Sequence, residues 1–154
     1  YYGVFDFLSF TIDRGTVTLM GYAYAPALRA DAEQAVKRVP GIDDVVNKVE
    51  ALPAGFDDDR IRRATFYNIY TDSFLSRYAS GGEMGAYYAL RDSGRFPGMQ
   101  PFGACPIHII VKNGRTTVVA NQADKQMAEM RAREVPGVFN VENDLVIENQ
   151  TDRR

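Results

Sequence analysis

A single phrase occurs twice in this chain. VPGIDDVVNKVEAL spans Val39 to Leu52, and VPGVFNVENDLVIE spans Val135 to Glu148. The correspondence extends backward, because FTIDRGTVTLMG (Phe10 to Gly21) lies over IIVKNGRTTVVA (Ile109 to Ala120). A duplication of this length means that one supersecondary unit is built twice, so any fold assigned to the chain must satisfy both copies.

Each copy reads as the same string of elements. Leu8, Phe10 and Ile12 alternate with Ser9, Thr11 and Asp13, the period of a half-buried strand. Arg14-Gly15 turns the chain, and Thr16 to Tyr24 returns as a second strand. In the second copy Ile107, Ile109 and Val111 alternate, and Asn113-Gly114 is a two-residue hairpin signal because both positions accept positive φ. A helix follows each hairpin. Pro26 suits a first helical turn, and Leu28, Ala32, Ala35, Val36 and Val39 recur at helical spacing, as do Ala128, Ala132 and Val135. Pro40-Gly41 and Pro136-Gly137 end the helices, and closing strands run through Val45, Asn47, Val49 and Ala51, or Val141, Asn143, Leu145 and Ile147.

The predicted fold class is α+β. Each unit is a small mixed three-stranded sheet, strand-strand-helix-strand, with helices on one face. The first unit occupies 1–55 and lacks a leading helix; the second occupies 56–148, and 149–154 is a polar tail. Asp57 to Ala79 reads as the leading helix of the second unit. Ser80 to Ala104 carries six glycines and two prolines and reads as an inserted loop, with a short helix possible near Tyr87 to Arg91.

The stretch GTVTLMGYAYAPALRADAEQAVKRVPGIDDVVNKVEAL resembles a BON domain (bacterial OsmY and nodulation type). It has a Gly-x-Val-x-Leu-x-Gly strand, an Ala-rich helix and a V-x-G-x-x-x-V-x-N ending. The second copy is looser, with Ala120 in place of the second strand glycine and Thr116 and Val118 in place of Val17 and Leu19. The resemblance implies a tandem BON protein of the bacterial envelope, usually exported and usually without enzymatic activity. It also implies association with phospholipid surfaces, envelope stress and protein assembly. Localisation is accordingly expected to be periplasmic or extracellular. Tyr1 in place of Met fits either a processed chain or a trimmed one.

Composition narrows the chemistry. The 154 residues are 45% hydrophobic, enough for a core that buries roughly 70% of the unfolded surface. Eighteen basic against twenty acidic residues give a net charge of −2, without the basic field of a nucleic-acid binder. Cys105 is the only cysteine, so an intrachain disulfide is excluded. No apolar run reaches the ~18 residues of a spanning helix.

No catalytic residues, metal ligands or cofactor site are assigned. The lone imidazole, His108, lies between Ile107 and Ile109 and is expected to face solvent. Asp57-Asp58-Asp59 lacks the alternating oxygen ligands of a calcium loop and reads as a helix N-terminal cap. Asn47 and Asn143 hold the same slot in both copies and read as local backbone hydrogen-bonders; Gly21, Gly41, Gly114 and Gly137 are conformational.

The expected function is therefore binding, through assembly into a homo-oligomer or homopolymer. Six of the eight residues in YYGVFDFL are Tyr, Val, Phe or Leu, and the first unit's sheet has no leading helix to cover it. The contact candidates are Tyr1, Tyr2, Val4, Phe5 and Phe7, with Tyr87, Tyr88, Phe96 and Phe102 of the insert. The covering element is an upstream segment, the insert folding back, or another copy. The alternative is a phospholipid membrane surface met by Lys125, Met127, Met130 and Arg131. Tyr67, Tyr70, Phe74 and Tyr78 form an aromatic stripe that reads as core, with a partner surface as the alternative.

Overall fold

The computed structural model describes residues 2–79, 106–120 and 125–142. Turn chemistry sets both hairpins. Strand β1 (Phe7–Asp13) pairs antiparallel with β2 (Thr16–Ala23), from Phe7↔Tyr22 to Asp13↔Thr16. This leaves Arg14-Gly15 as a two-residue loop with φ of 46° and 79°, the doubly positive pair that matches the twist of flanking strands. Gly21 has φ 119°, and a Cβ there would sit 2.0 Å from the Phe7 carbonyl oxygen, so any side chain would force β1 off β2.

Helix α1 (Pro26–Lys37) starts with proline at a position whose N–H has no intrahelical partner. The chain returns as β3 (Asp44–Asn47) and β4 (Glu50–Ala51), both parallel to β2. The closing strand is thus two short pieces, and Asn47 is the reason. Its Oδ1 accepts from Val49 N (3.1 Å), while its Nδ2 donates to Arg29 O (2.8 Å) and Glu33 Oε2 (3.0 Å) on α1. The side chain breaks the ladder and ties strand to helix.

The second unit opens with α2 (Phe56–Tyr70), followed after a turn by a 3-10 helix (Ser76–Ala79). Strand β5 (His108–Lys112) then pairs antiparallel with β6 (Arg115–Val119) around Asn113-Gly114, with φ 53° and 75°. Helix α3 (Lys125–Arg133) leads to β7 (Asn140–Glu142), parallel to β6. The fold is α+β, two mixed sheets built on the same strand-strand-helix-strand plan. Helix α1 packs on β2, β3 and β4; α2 packs on β5 and α3; α3 packs on β6 and β7.

Helix α2 is shorter than the expected Asp57 to Ala79. It stops at Tyr70 because the Asp72 carboxylate turns back to accept from Phe74 N (2.8 Å) and Leu75 N (3.2 Å), a local alternative to helix. The aromatic stripe is broken there: Tyr70 is buried and Tyr78 packs against the core, while Tyr67 and Phe74 are exposed.

The expected cap is also corrected. The N-cap of α2 is Gly55, without a side-chain cap bond. Asp58 instead reaches across the unit to accept from Asn113 N (2.9 Å) and Gly114 N (2.8 Å), closing the β5–β6 turn. Asp59 pairs with Arg62.

Candidate interaction surface

Because cross-strand partners share a face, Phe10 lies beside Leu19 and Ile12 beside Val17, on the side that packs under α1. The same register in the second unit puts Ile109 beside Val118 and Val111 beside Thr116. Ile109 and Val111 are 0% exposed beneath α2. Their counterparts Phe10 and Ile12 are 64% and 60% exposed. Among the described residues no helix lies over β1, and an apolar strip remains open beside α1. The first unit's buried cluster is correspondingly small, with Val17, Leu19, Ala23, Leu28 and Val49 fully inside.

In the second unit α2 supplies that cover. Ile61, Phe66, Ile69 and Tyr70 enter the core, and Tyr70 OH donates to Ile107 O (2.7 Å). Arg62 is fully buried at the junction of the units. Its guanidinium donates to Val111 O, Pro53 O and Asp59, and lies 5.1 Å from the centre of the Tyr24 ring. Burial, followed by the charge of Asp59, raises the Tyr24 pKa above 10.0. Lys112 and Glu50 form a second, exposed link at 2.5 Å.

The N-terminal segment requires a correction. Val4 and Phe5 are not presented to a partner: they are 0% and 2% exposed, inside the second unit's core. Phe5 meets Tyr24 and Phe66 edge-to-face at 5.6 Å and 6.3 Å. Asp6 fixes the entry, accepting from Gly3 N (2.9 Å) and Tyr24 N (2.7 Å). Val4 O accepts from Ile109 N (2.8 Å), so this segment also occupies the outer edge of β5.

His108 is not simply solvent-facing. Tyr2 and Phe7 flank its ring at 5.1 Å and 6.0 Å, and its ring nitrogens approach Tyr2 OH and Gly3 O at 3.3 Å each. Burial disfavours the imidazolium and lowers the His108 pKa below 6.5, against the raising effect of the Gly3 carbonyl. Phe7 is half-buried and Tyr2 lies at the surface.

On α3, Met127 packs against the core and Met130 is exposed. Arg131 is paired with Asp72 (2.8 Å) and Glu134 (2.9 Å), and Arg133 with Glu129. Burial works against ionisation of Asp72, yet the Phe74 and Leu75 amides and Arg131 outweigh it and lower its pKa. The Lys125 side chain, Tyr1, Tyr87, Tyr88, Phe96, Phe102 and Asn143 lie outside the described residues, as do the insert and the tail. Gly41 and Gly137 hold positive φ at the helix exits. Among the described residues no three metal-ligating side chains cluster, and no helix is long and apolar enough to cross a membrane.

The BON domain model matches this chain twice, over residues 6–53 and 103–149, more than half of its length. The chain belongs to the BON domain family. The matched segments hold the two strand-strand-helix-strand repeats, β1 to β4 and β5 to β7, and leave α2 outside both. Among the described residues this tandem BON chain carries a leading helix only before the second hairpin. No curated protein matches the sequence. Two solved structures of CdsD, a structural protein of the Type III secretion system of Chlamydia trachomatis, resemble it at 13% identity and a TM-score of 0.27. The likeness covers 90% of this chain and 84% of one CdsD chain, or 88% of the CdsD C-terminal domain.

The sequence carried unequal signals for these groups. Asp58 sits in an acidic run that reads as a helix N-terminal cap, and the β5–β6 turn amides are its partners in space. Arg62, which the sequence reading did not single out, is held by Val111 O, Pro53 O, Asp59 and the Tyr24 ring. Phe10 and Ile12 were legible as one strand face.

Proposed function

We propose that this tandem BON chain is a non-enzymatic binding and structural protein of the bacterial envelope or extracellular space that assembles with copies of itself. The observation that carries this reading is the exposure of Phe10 (64%) and Ile12 (60%) at positions whose second-unit counterparts are sealed under α2. The open strip on β1 takes the place of Val4 and Phe5 as the contact surface, with Leu8 partly buried at its end.

Covering Phe10 and Ile12 stabilises association by about 1–2 kcal/mol per side chain. Bringing two molecules together costs about 4–15 kcal/mol, so apolar contact alone gives weak assembly and backbone pairing has to supplement it. The experiment is light scattering of the purified chain without lipid across a concentration series. Growth in mass supports the reading, and a monomer throughout refutes it.

A second reading, a phospholipid-surface protein, draws support from Met130, which is 47% exposed on α3. The neighbouring Arg131 and Arg133 are already paired within the chain, which weakens their attraction for headgroups. Binding to anionic vesicles that falls with salt, without self-association, would favour this reading.

A further inference from the structure

We infer that two copies join by pairing β1 with β1 of the second copy, antiparallel, about a twofold axis at Phe10. The inference rests on the self-assembly reading and supplies its geometry.

The direction of the backbone groups comes first. In a two-residue hairpin the pair that flanks the turn exchanges hydrogen bonds, and alternate pairs do the same. Asp13↔Thr16 flanks this turn, so Thr11, Ser9 and Phe7 face inward to β2. Leu8, Phe10 and Ile12 therefore aim their N–H and C=O groups at the outer edge. The second unit verifies the phase, because Ile109, which holds Phe10's place, sends its N–H outward to Val4 O at 2.8 Å. That edge is taken by the N-terminal segment. Among the described residues no strand pairs with the outer edge of β1.

The edge is also unprotected. FLSFTID contains neither proline nor lysine, and its one-to-one register with β2 leaves no bulge to bend it away. A seven-residue, partly apolar edge is a template for another strand.

The register follows from the sequence. A twofold at Phe10 sets Phe10 against Phe10, Leu8 against Ile12 and Ser9 against Thr11 of the second copy. Apolar meets apolar on the α1 side, polar meets polar on the other, and every outward donor faces an outward acceptor. A slip by one residue opposes apolar to polar side chains and puts the backbone groups out of phase. Centring on Leu8 brings Ile12 against Val4, which is already buried in the core, and centring on Ile12 brings Phe10 against the exposed Arg14. Centres at Ser9 and Thr11 keep the backbone in phase but set Ile12 against the buried Asp6 and Leu8 against the exposed Arg14, respectively. The Phe10 centre is therefore the one that pairs Leu8, Phe10 and Ile12 all with one another. The product is a continuous sheet across two first units, with the exposed strips of both copies gathered between their α1 helices.

The test is sedimentation velocity of the full chain across a concentration series, with the Phe10→Pro variant beside it. Proline removes an outward N–H that no strand among the described residues takes up, a position edge strands tolerate. The expected result is a concentration-dependent dimer for the wild type and a monomer for Phe10→Pro, with the same circular dichroism.

A second measurement keeps the inference decidable should proline disturb the fold. In a Cys105→Ser background, Phe10→Cys oxidises to a linked dimer, because a hydrogen-bonded pair holds its Cα atoms about 5.5 Å apart, within disulfide reach. Thr11→Cys, which lies off the axis, does not link. Assembly that survives Phe10→Pro, with no cross-link at position 10, overturns the β1 pairing and leaves self-assembly standing. A wild-type monomer at every concentration overturns both.

Discussion

Replacing Phe5 by alanine tests whether the N-terminal segment is structural or a contact for partners. The ring is 2% exposed and lies among Phe66, Tyr70, Ile109 and Val118 of the second unit's core. Its loss removes two edge-to-face contacts, to Tyr24 and Phe66, and opens a cavity that the rigid strands around it fill poorly. Truncation of a buried phenylalanine costs about 3–5 kcal/mol, a large share of the roughly 5–15 kcal/mol that holds a domain together. At about 2–4 °C per kcal/mol for a chain of this size, the melting temperature falls by about 6–20 °C. Thermal melting followed by circular dichroism reads the change directly. Phe10→Ala is the internal control: that ring is 64% exposed and the change should move stability by less than about 0.5 kcal/mol at low concentration. A Phe5→Ala variant that melts within a degree or two of the wild type would refute the insertion of this segment into the core.

Other perturbations separate the remaining contacts. Asp58→Ala should destabilise by about 2–3 kcal/mol, because two turn amides lose a charged acceptor, whereas Asp57→Ala on the exposed side is close to neutral in the same melt. Arg131→Ala should lower the melting temperature, since Asp72, whose side chain is 2% exposed, loses its cation; unchanged melting would place that pair in solvent. Stability should fall with acid in two windows. His108 has its pKa depressed in the folded state, so the unfolded chain takes up the proton first and stability declines as pH drops below 6.5. Asp72 is also depressed, so its contribution is present above 3.8 and is lost as pH falls further through its folded value. His108→Gln should flatten the first decline and leave the second, as measured by urea unfolding at stepped pH.

The repeat made most of the architecture legible. Period-two alternation and the Arg14-Gly15 and Asn113-Gly114 turns placed both hairpins, because these signals are local and each is set by adjacent residues. Asn47 was readable as a backbone-bonding side chain, although its grip on Arg29 and Glu33 requires the packed helix. What the sequence concealed is long-range. Asp58 looks like a cap until the turn 55 residues away is brought beside it. Arg62 carries no local signal that sets it apart, and its role shows only once Val111 O and Tyr24 converge on it. The apolar opening segment looks like a sticky surface, and only Asp6, which locks onto Tyr24 N, shows why Val4 and Phe5 turn inward. Helix α2 ends early for a local reason, the Asp72 turn, but aromatic periodicity through Tyr78 masked it.

The first unit's sheet was read from the sequence as lacking a covering helix, and among the described residues Phe10 and Ile12 of β1 are exposed. The two units differ by a simple contrast: the same strand positions are sealed in the second unit and exposed in the first. On the proposed reading, this exposed strip joins copies of the chain. Sedimentation velocity without lipid, from low to high micromolar protein, tests it most directly. The expected mass climbs from the 17.2 kDa monomer toward multiples of it as concentration rises. A single 17.2 kDa species across the whole range would contradict it.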